Sequence, residues 1–241
     1  MTSLEPLTPI APALVGRSSS SQRWSDLFFI HWRVDSDLVA PLLPAGLHPD
    51  EHDGSSWVGL IPFVLDQARI FGSPPIPYFG SFVEVNVRLY AIDERGRRGV
   101  VFVSLEASRL AAVLAARALF SIPYVWSATT LVRNDQEFSY RSRRHTGKRE
   151  TSTIVAKPST RMVLADPLAE FLTARWGLFT LHRGRTIFLH NHHEPWALFE
   201  ATIVKLEDQL LLAAGFAGLA ERQPDSVLYS PGVTTRFGSG E

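Results

Sequence analysis

FVEVNVRLY, residues 82–90, alternates two kinds of side chain without a break. Val83, Val85, Val87 and Leu89 take the odd positions, and Phe82, Glu84, Asn86, Arg88 and Tyr90 the even ones. Side chains on a strand point alternately to opposite faces, so this period of two predicts a strand with one wholly apolar face. The other face carries Glu84, Asn86 and Arg88 between two rings. It reads either as a solvated sheet surface or as the wall of a cavity, and the bulk of Phe82 and Tyr90 fits the cavity better. Glu84 and Arg88 are four residues apart, roughly 13 Å along a strand, so each needs a partner from elsewhere.

Outward from this strand the chain keeps the same character. The loop 93–99 turns it, and Val100–Leu105 returns as a hairpin partner. Ser108 is placed to cap a helix running to about Phe120, and Ile122, preceding Pro123, leaves the helical region. Further strands are expected at 125–133, 138–144, 151–157, 178–182, 186–190 and 198–206, and, with order starting at Trp24, before residue 82 at 28–33 and 57–65. Asp166-Pro167 opens a helix whose natural stop is Gly177, and Asp208 and Gly215 bracket another. About ten strands, mostly adjacent in sequence, give an α+β domain built on a mostly antiparallel sheet that must curl or close to hide its edges. Residues 1–22, with scattered prolines and the run Ser18–Ser21, read as a flexible tail, and residues 23–241 as a single domain.

The 241 residues are 45% hydrophobic, ample for a core. Lys+Arg and Asp+Glu are both 24, so no basic surplus exists to neutralise a nucleic-acid backbone. Cysteine is absent, which removes disulfides, thiol catalysis and thiolate metal sites. No apolar run reaches membrane-span length, and the first twenty residues lack a basic leader, so a cytoplasmic protein is expected.

Three groups could carry chemistry. The Glu84–Asn86–Arg88 face is the first. In the second, His190, His192 and Glu194 would share one face of an extended chain, the two-histidine, one-carboxylate set that suits iron or zinc. A polar turn ending at Pro195 explains the same residues, and no metal site is expected. In the third, Tyr140, Ser142 and Arg144 alternate onto one face within a basic run whose other charges are solvated, and they could line the same cavity as Glu84. No phosphate loop, nucleophile elbow or HExxH motif is present.

FFIHWRVDSDLVAPLLPAGLHPDEHDGSSWVGLIPF (28–63), FVEVNVRLY (82–90), RALFSIPY (117–124), YRSRR (140–144) and HEPWAL (193–198) together resemble the YqjF-like proteins, a bacterial family placed in the acetoacetate decarboxylase-like superfamily. The resemblance runs from about Trp24 to Phe237. It implies a curved sheet closed into a cone-like barrel, with small helices outside and a pocket inside. In the decarboxylases a helix ends in Pro-Lys-Lys, whose first lysine forms the Schiff base; the matching residues are Pro123, Tyr124 and Val125. Glu84 matches a pocket glutamate, and Ser25 stands where those enzymes carry an arginine.

The expected function is therefore binding of a small organic acid or carbonyl compound, with Glu84 and Tyr124 central and Arg88, Asn86, Tyr140, Arg144, His193 and Glu194 contributing. The alternative is a lysine-independent enzyme with Glu84 as acid/base and Tyr124 as proton donor. No cofactor, nucleic acid or membrane is expected as partner, and homo-oligomerisation stays open. Borohydride treatment in the presence of acetoacetate or pyruvate should leave the intact mass unchanged. An adduct on Lys148, Lys157 or Lys205 would overturn that expectation.

Overall fold

In a computed structural model, which describes residues 4–14 and 18–238, twelve strands form one sheet. They are β1 (Ser20–Val34), β2 (Leu47–Pro49), β3 (Ser56–Ile70), β4 (Phe82–Asp93), β5 (Arg98–Ala107), β6 (Tyr124–Arg133), β7 (Phe138–Arg144), β8 (Thr151–Met162), β9 (Gly177–His182), β10 (Arg185–His192), β11 (Phe199–Asp208) and β12 (Ser226–Phe237). The short helices α1 (Ser36–Val39), α2 (Leu110–Phe120), α3 (Pro167–Thr173) and α4 (Leu210–Ala213) connect them. The class is strand-rich α+β, and the ladders are antiparallel except β5–β6 and β5–β9.

The pairings return on themselves twice. One circuit runs β5-β6-β7-β8-β11-β12-β1-β3-β4 and back to β5; the other runs β5-β9-β10-β12-β1-β3-β4 and back. The strands β12, β1, β3, β4 and β5 belong to both and form a wall with protein on each side. The period of two in β4 divides its side chains between the two spaces. Val85, Val87 and Leu89 enter a large apolar core together with Phe28, Trp32, Leu60, Tyr140 and Ile154. Glu84, Asn86 and Arg88 face a cavity on the other side. Phe82 and Tyr90 are buried at the two ends of that face and pack in two separate clusters, outside the cavity lining.

In β1 the register slips between Ser25 and Ile30. Asp26 sits there at φ 55°, and this irregularity lets Trp24, Leu27 and Phe29 all face the cavity. Two strands escape the sequence reading. β2 is only three residues long, and β12 contains Pro231 and Gly232. Gly232 has φ +123°, and a Cβ there would lie 2.0 Å from the Trp24 carbonyl oxygen, so the strand is bent where its periodicity should be visible.

Other boundaries shift for local reasons. Asp166 caps α3 as its position suggests, accepting from the N–H groups of Leu168 and Ala169. That helix stops at Thr173, and Gly177 instead opens β9, under the ring of Phe188. Ser108 makes no cap; Arg109 occupies that position with an extended backbone. Order begins before Trp24, because β1 starts at Ser20. Of the stretch read as a tail, residues 1–3 and 15–17 lie outside the described residues. Glu5 bonds through its N–H to the Gly96 carbonyl, and Thr8 accepts from the Trp176 indole at 3.0 Å.

A methyl group on Gly177 would fall 2.1 Å from Phe188 Cζ. Gly177→Ala should therefore destabilise the fold by about 1–3 kcal/mol through overpacking alone. A lower thermal midpoint would register this, and a melting curve unchanged from wild type would contradict the packing.

Candidate functional site

A cavity of about 100 Å³ opens between the shared wall and β9, β10 and the segment after α3. Its lining is mainly apolar, from residues such as Phe29, Ile61, Phe63 and Leu105, interrupted by a few polar groups. Glu84, Asn86, Arg88, Tyr124 and His193 all line it, so five of the residues singled out from sequence meet in one place.

Glu84 and Tyr124 touch. The phenol donates to Glu84 Oε2 at 2.8 Å, and the Asn86 amide donates to Oε1 at 3.3 Å. Their approach across forty residues follows from the ladders. Asn86 pairs with Leu105 on β5, and Leu105 pairs with Tyr124 through the short parallel β5–β6 ladder. Helix α2 must end sharply to deliver β6 there. It does so at Ser121, in the left-handed region at φ 55°, followed by Pro123. Glu84 is only 1% exposed and, among the described residues, has no cation paired with it. Burial raises its carboxyl to about 7, the two hydrogen bonds pull back, and Glu106 pushes slightly further up. Burial, and then the neighbouring carboxylate, hold the Tyr124 phenol well above its usual range, so it stays a proton donor.

Arg88 is fixed by a buried network. Its Nε donates to Tyr90 Oη at 3.0 Å and its Nη2 to the Leu172 carbonyl at 2.8 Å. Tyr90 spends its proton on the same carbonyl, 2.9 Å away. His31 Nε2 and Tyr90 Oη share a hydrogen bond of 2.6 Å, whose direction follows the imidazole's tautomer. Burial, and then the positive charge of Arg88, keep that imidazole neutral. Gly59 makes the room: a Cβ there would stand 2.9 Å from His31 Nε2 and 3.2 Å from Arg88 Cγ.

His193 sits between Trp176 and Trp196, with ring centroids 4.6 and 4.5 Å away, and donates from Nδ1 to the Glu194 carbonyl at 2.7 Å. Burial lowers its imidazole to about 4, so it is neutral at ordinary pH. Trp196 packs edge-on against Phe29 and donates to the Thr173 carbonyl.

Three expected residues lie elsewhere. The Glu194 side chain is exposed. Tyr140 is buried against Phe28 and donates to the Asp26 carbonyl, on the apolar-core side of the wall. Arg144 makes a two-nitrogen contact with Glu106 Oε1, at 2.8 and 2.6 Å, and Glu106 pairs with Val85, whose side chain enters the same core. Alternation along β7 does turn both residues inward, but toward the other space. Among the described residues, no group of three or more His, Asp or Glu is arranged to hold a metal ion, and no helix is long and apolar enough to cross a membrane.

One cavity residue gave no signal in the sequence. Arg175, just after α3, lines the cavity. Its Nη1 pairs with Asp50, which also takes two bonds from Arg98, and its Nε donates to the Phe171 carbonyl. An arginine thus enters the cavity from α3's end, while Ser25 stays on β1.

The chain matches the family model of DUF2071, described as an uncharacterized conserved protein, over residues 21–234. It belongs to that family. It is 34% identical over 182 residues to the uncharacterized protein YqjF of Bacillus subtilis (strain 168), covering 75% of each chain. Its fold is that of acetoacetate decarboxylase-like proteins. An acetoacetate decarboxylase-like enzyme from Sphingomonas wittichii RW1 superposes with a TM-score of 0.65 at 16% identity, covering 100% of this chain and 98% of that one. The acetoacetate decarboxylase of Legionella pneumophila gives 0.64 at 14% identity, covering 96% and 90%. The enduracididine biosynthesis enzyme MppR complexed with pyruvate gives 0.63 at 15% identity, covering 93% and 90%.

A carboxyl raised from 4.5 to about 7 by folding favours the protonated native state. Its stabilising contribution is complete below about pH 4.5 and is lost as pH rises through about 7. Glu84→Gln removes this dependence. Relative to wild type, the variant should gain stability between pH 4.5 and 8, by up to roughly 3 kcal/mol. Urea denaturation of both proteins across that range measures the difference, and parallel pH profiles would show that Glu84 is not held neutral.

Proposed function

We propose that this protein binds a small organic acid or carbonyl compound in the cavity, without Schiff-base chemistry. The carrying observation is the 2.8 Å contact between Tyr124 and a buried, unpaired Glu84 inside a cavity lined by no lysine. Lys148, Lys157 and Lys205 are all exposed. An iminium mechanism needs an amine that can lose its proton and reach the substrate, and no lysine stands where it could meet a ligand in this cavity. The paired pairing circuits read as a barrel around the site, the small apolar lining excludes water, and the few convergent polar groups orient a ligand. The structural neighbour complexed with pyruvate supports an organic acid as the ligand class.

A second reading is favoured by one observation. A carboxyl at about 7 is poised to give or take a proton near neutral pH, and a phenol lies in contact with it. On that reading Glu84 is the acid/base and Tyr124 the proton donor of a lysine-independent enzyme. Asn86 and Arg88 hold the ligand in either case, and His193 bounds it as a neutral wall.

A thermal-shift screen of keto acids, hydroxy acids and lactones tests the binding reading, because a ligand at one hundred times its Kd stabilises by about 2.7 kcal/mol. At least one compound should raise the midpoint, and both Glu84→Gln and Tyr124→Phe should weaken its binding roughly ten-fold. Stabilisation that survives both substitutions would remove the site. For the enzymatic reading, turnover of the same compound should fall roughly 10²–10⁴-fold in Glu84→Gln.

A further inference from the structure

The charges around the cavity do not balance. Arg98 and Arg175 share the single carboxylate of Asp50. Arg88 is held only by a phenol and a carbonyl, and among the described residues it has no carboxylate partner. Arg88 and Arg175 line the cavity, Arg98 does not, and the Glu5 carboxylate also accepts from the Arg98 N–H, so the charge left without an acid beside the cavity is that of half-buried Arg88. A cation so placed points to an anion that the described residues do not supply.

Arg175 shows where that anion fits. Its guanidinium is buried, 5% exposed, and clamped between the rings of Phe171 and Tyr90, with centroid distances of 4.3 and 4.8 Å. Nε is spent on the Phe171 carbonyl at 2.8 Å, and Nη1 on Asp50. Nη2 is buried and has no hydrogen-bond partner. A buried donor without an acceptor is uncommon in a folded protein and calls for a specific explanation. The Asn86 Oδ1 atom, in the same lining, is likewise without a partner. Two lining residues thus hold an unpartnered polar atom, a donor on the fixed cation Arg175 and an acceptor on Asn86, beside the Glu84–Tyr124 pair.

We propose that Arg175, supported by Arg88, is an anion subsite that takes the carboxylate of a small organic acid, leaving the acid's carbonyl or hydroxyl oxygen to Asn86, Glu84 and Tyr124. The inference rests on the cavity being the ligand site and adds its chemical requirement: one carboxylate, on a molecule of few atoms. Arginine suits the task because its fork leaves one amino group free after the other two nitrogens are engaged. Lysine would satisfy Asp50 but present no second amino group.

The test compares pyruvate and lactate with their neutral isosteres, pyruvamide and lactamide, by calorimetric titration of the full chain at pH 7. The acids should bind at least roughly ten-fold more tightly than the amides, as expected for a charge-assisted hydrogen bond. Arg175→Lys, which keeps a cation for Asp50, should reduce that preference to within about two-fold. If this variant does not fold, the wild-type comparison still decides whether an anion is preferred, and Arg88→Gln should then narrow the preference in a folded protein. Equal binding of acids and amides would overturn this inference and leave the cavity reading intact. A full preference retained in Arg175→Lys would overturn the role of Arg175. Binding of none of the four probes at millimolar concentration would overturn both.

Discussion

A wall buried on both faces governs this structure. In most antiparallel sheets the polar side of a strand rests in water and its charges cost little. Here β4 has protein on either side, so Glu84 and Asn86 lie as deep as Val85 and Val87. Among the described residues no cation pairs with Glu84; burial raises its carboxyl to about 7, and a phenol and an amide donate to its oxygens. The same enclosure makes His31 and His193 neutral imidazoles and obliges Gly59 to have no side chain. Electrostatics inside the cavity are thus set by the architecture before any ligand is considered.

What could be read from the chain beforehand follows from what periodicity encodes. The alternation of residues 82–90 placed Val85, Val87 and Leu89 correctly on one face and Glu84, Asn86 and Arg88 on the other. Periodicity also found β6, β7 and β9 nearly to the residue. It reports inside against outside, and cannot say which of two insides. Tyr140 and Arg144 were correctly turned inward and still arrived on the wrong side of the wall. β12 was hidden because Gly232 bends it, and Gly177 is a glycine for the ring of Phe188 at the start of β9, not for the end of α3. Arg175 and Asp50 are 125 positions apart, and no local pattern marks either; only the packing of α3 against the start of β5 brings them together.

The likeness to acetoacetate decarboxylase-like folds, at 13–16% identity, is one of architecture. In this chain a tyrosine follows Pro123, and a guanidinium reaches the cavity from the loop behind α3. A shared fold leaves such choices open, because the backbone fixes where a cavity lies and only a handful of side chains decide its chemistry.

β12 pairs with β1, β10 and β11, and so it is the strand that completes both circuits. Ser20 lies opposite Phe237. Along a chain emerging from the ribosome, the first strand of the wall can pair with β3 early but must wait for β12 before its other edge is covered. Until then the apolar sides of β1 and β3 have no cover, and the space around Glu84 does not exist. Contacts of such long sequence separation make folding slow and delay closure until β12 has been made. The cavity closes only when β12 docks, and a chain without Ser226–Phe237 has neither circuit closed.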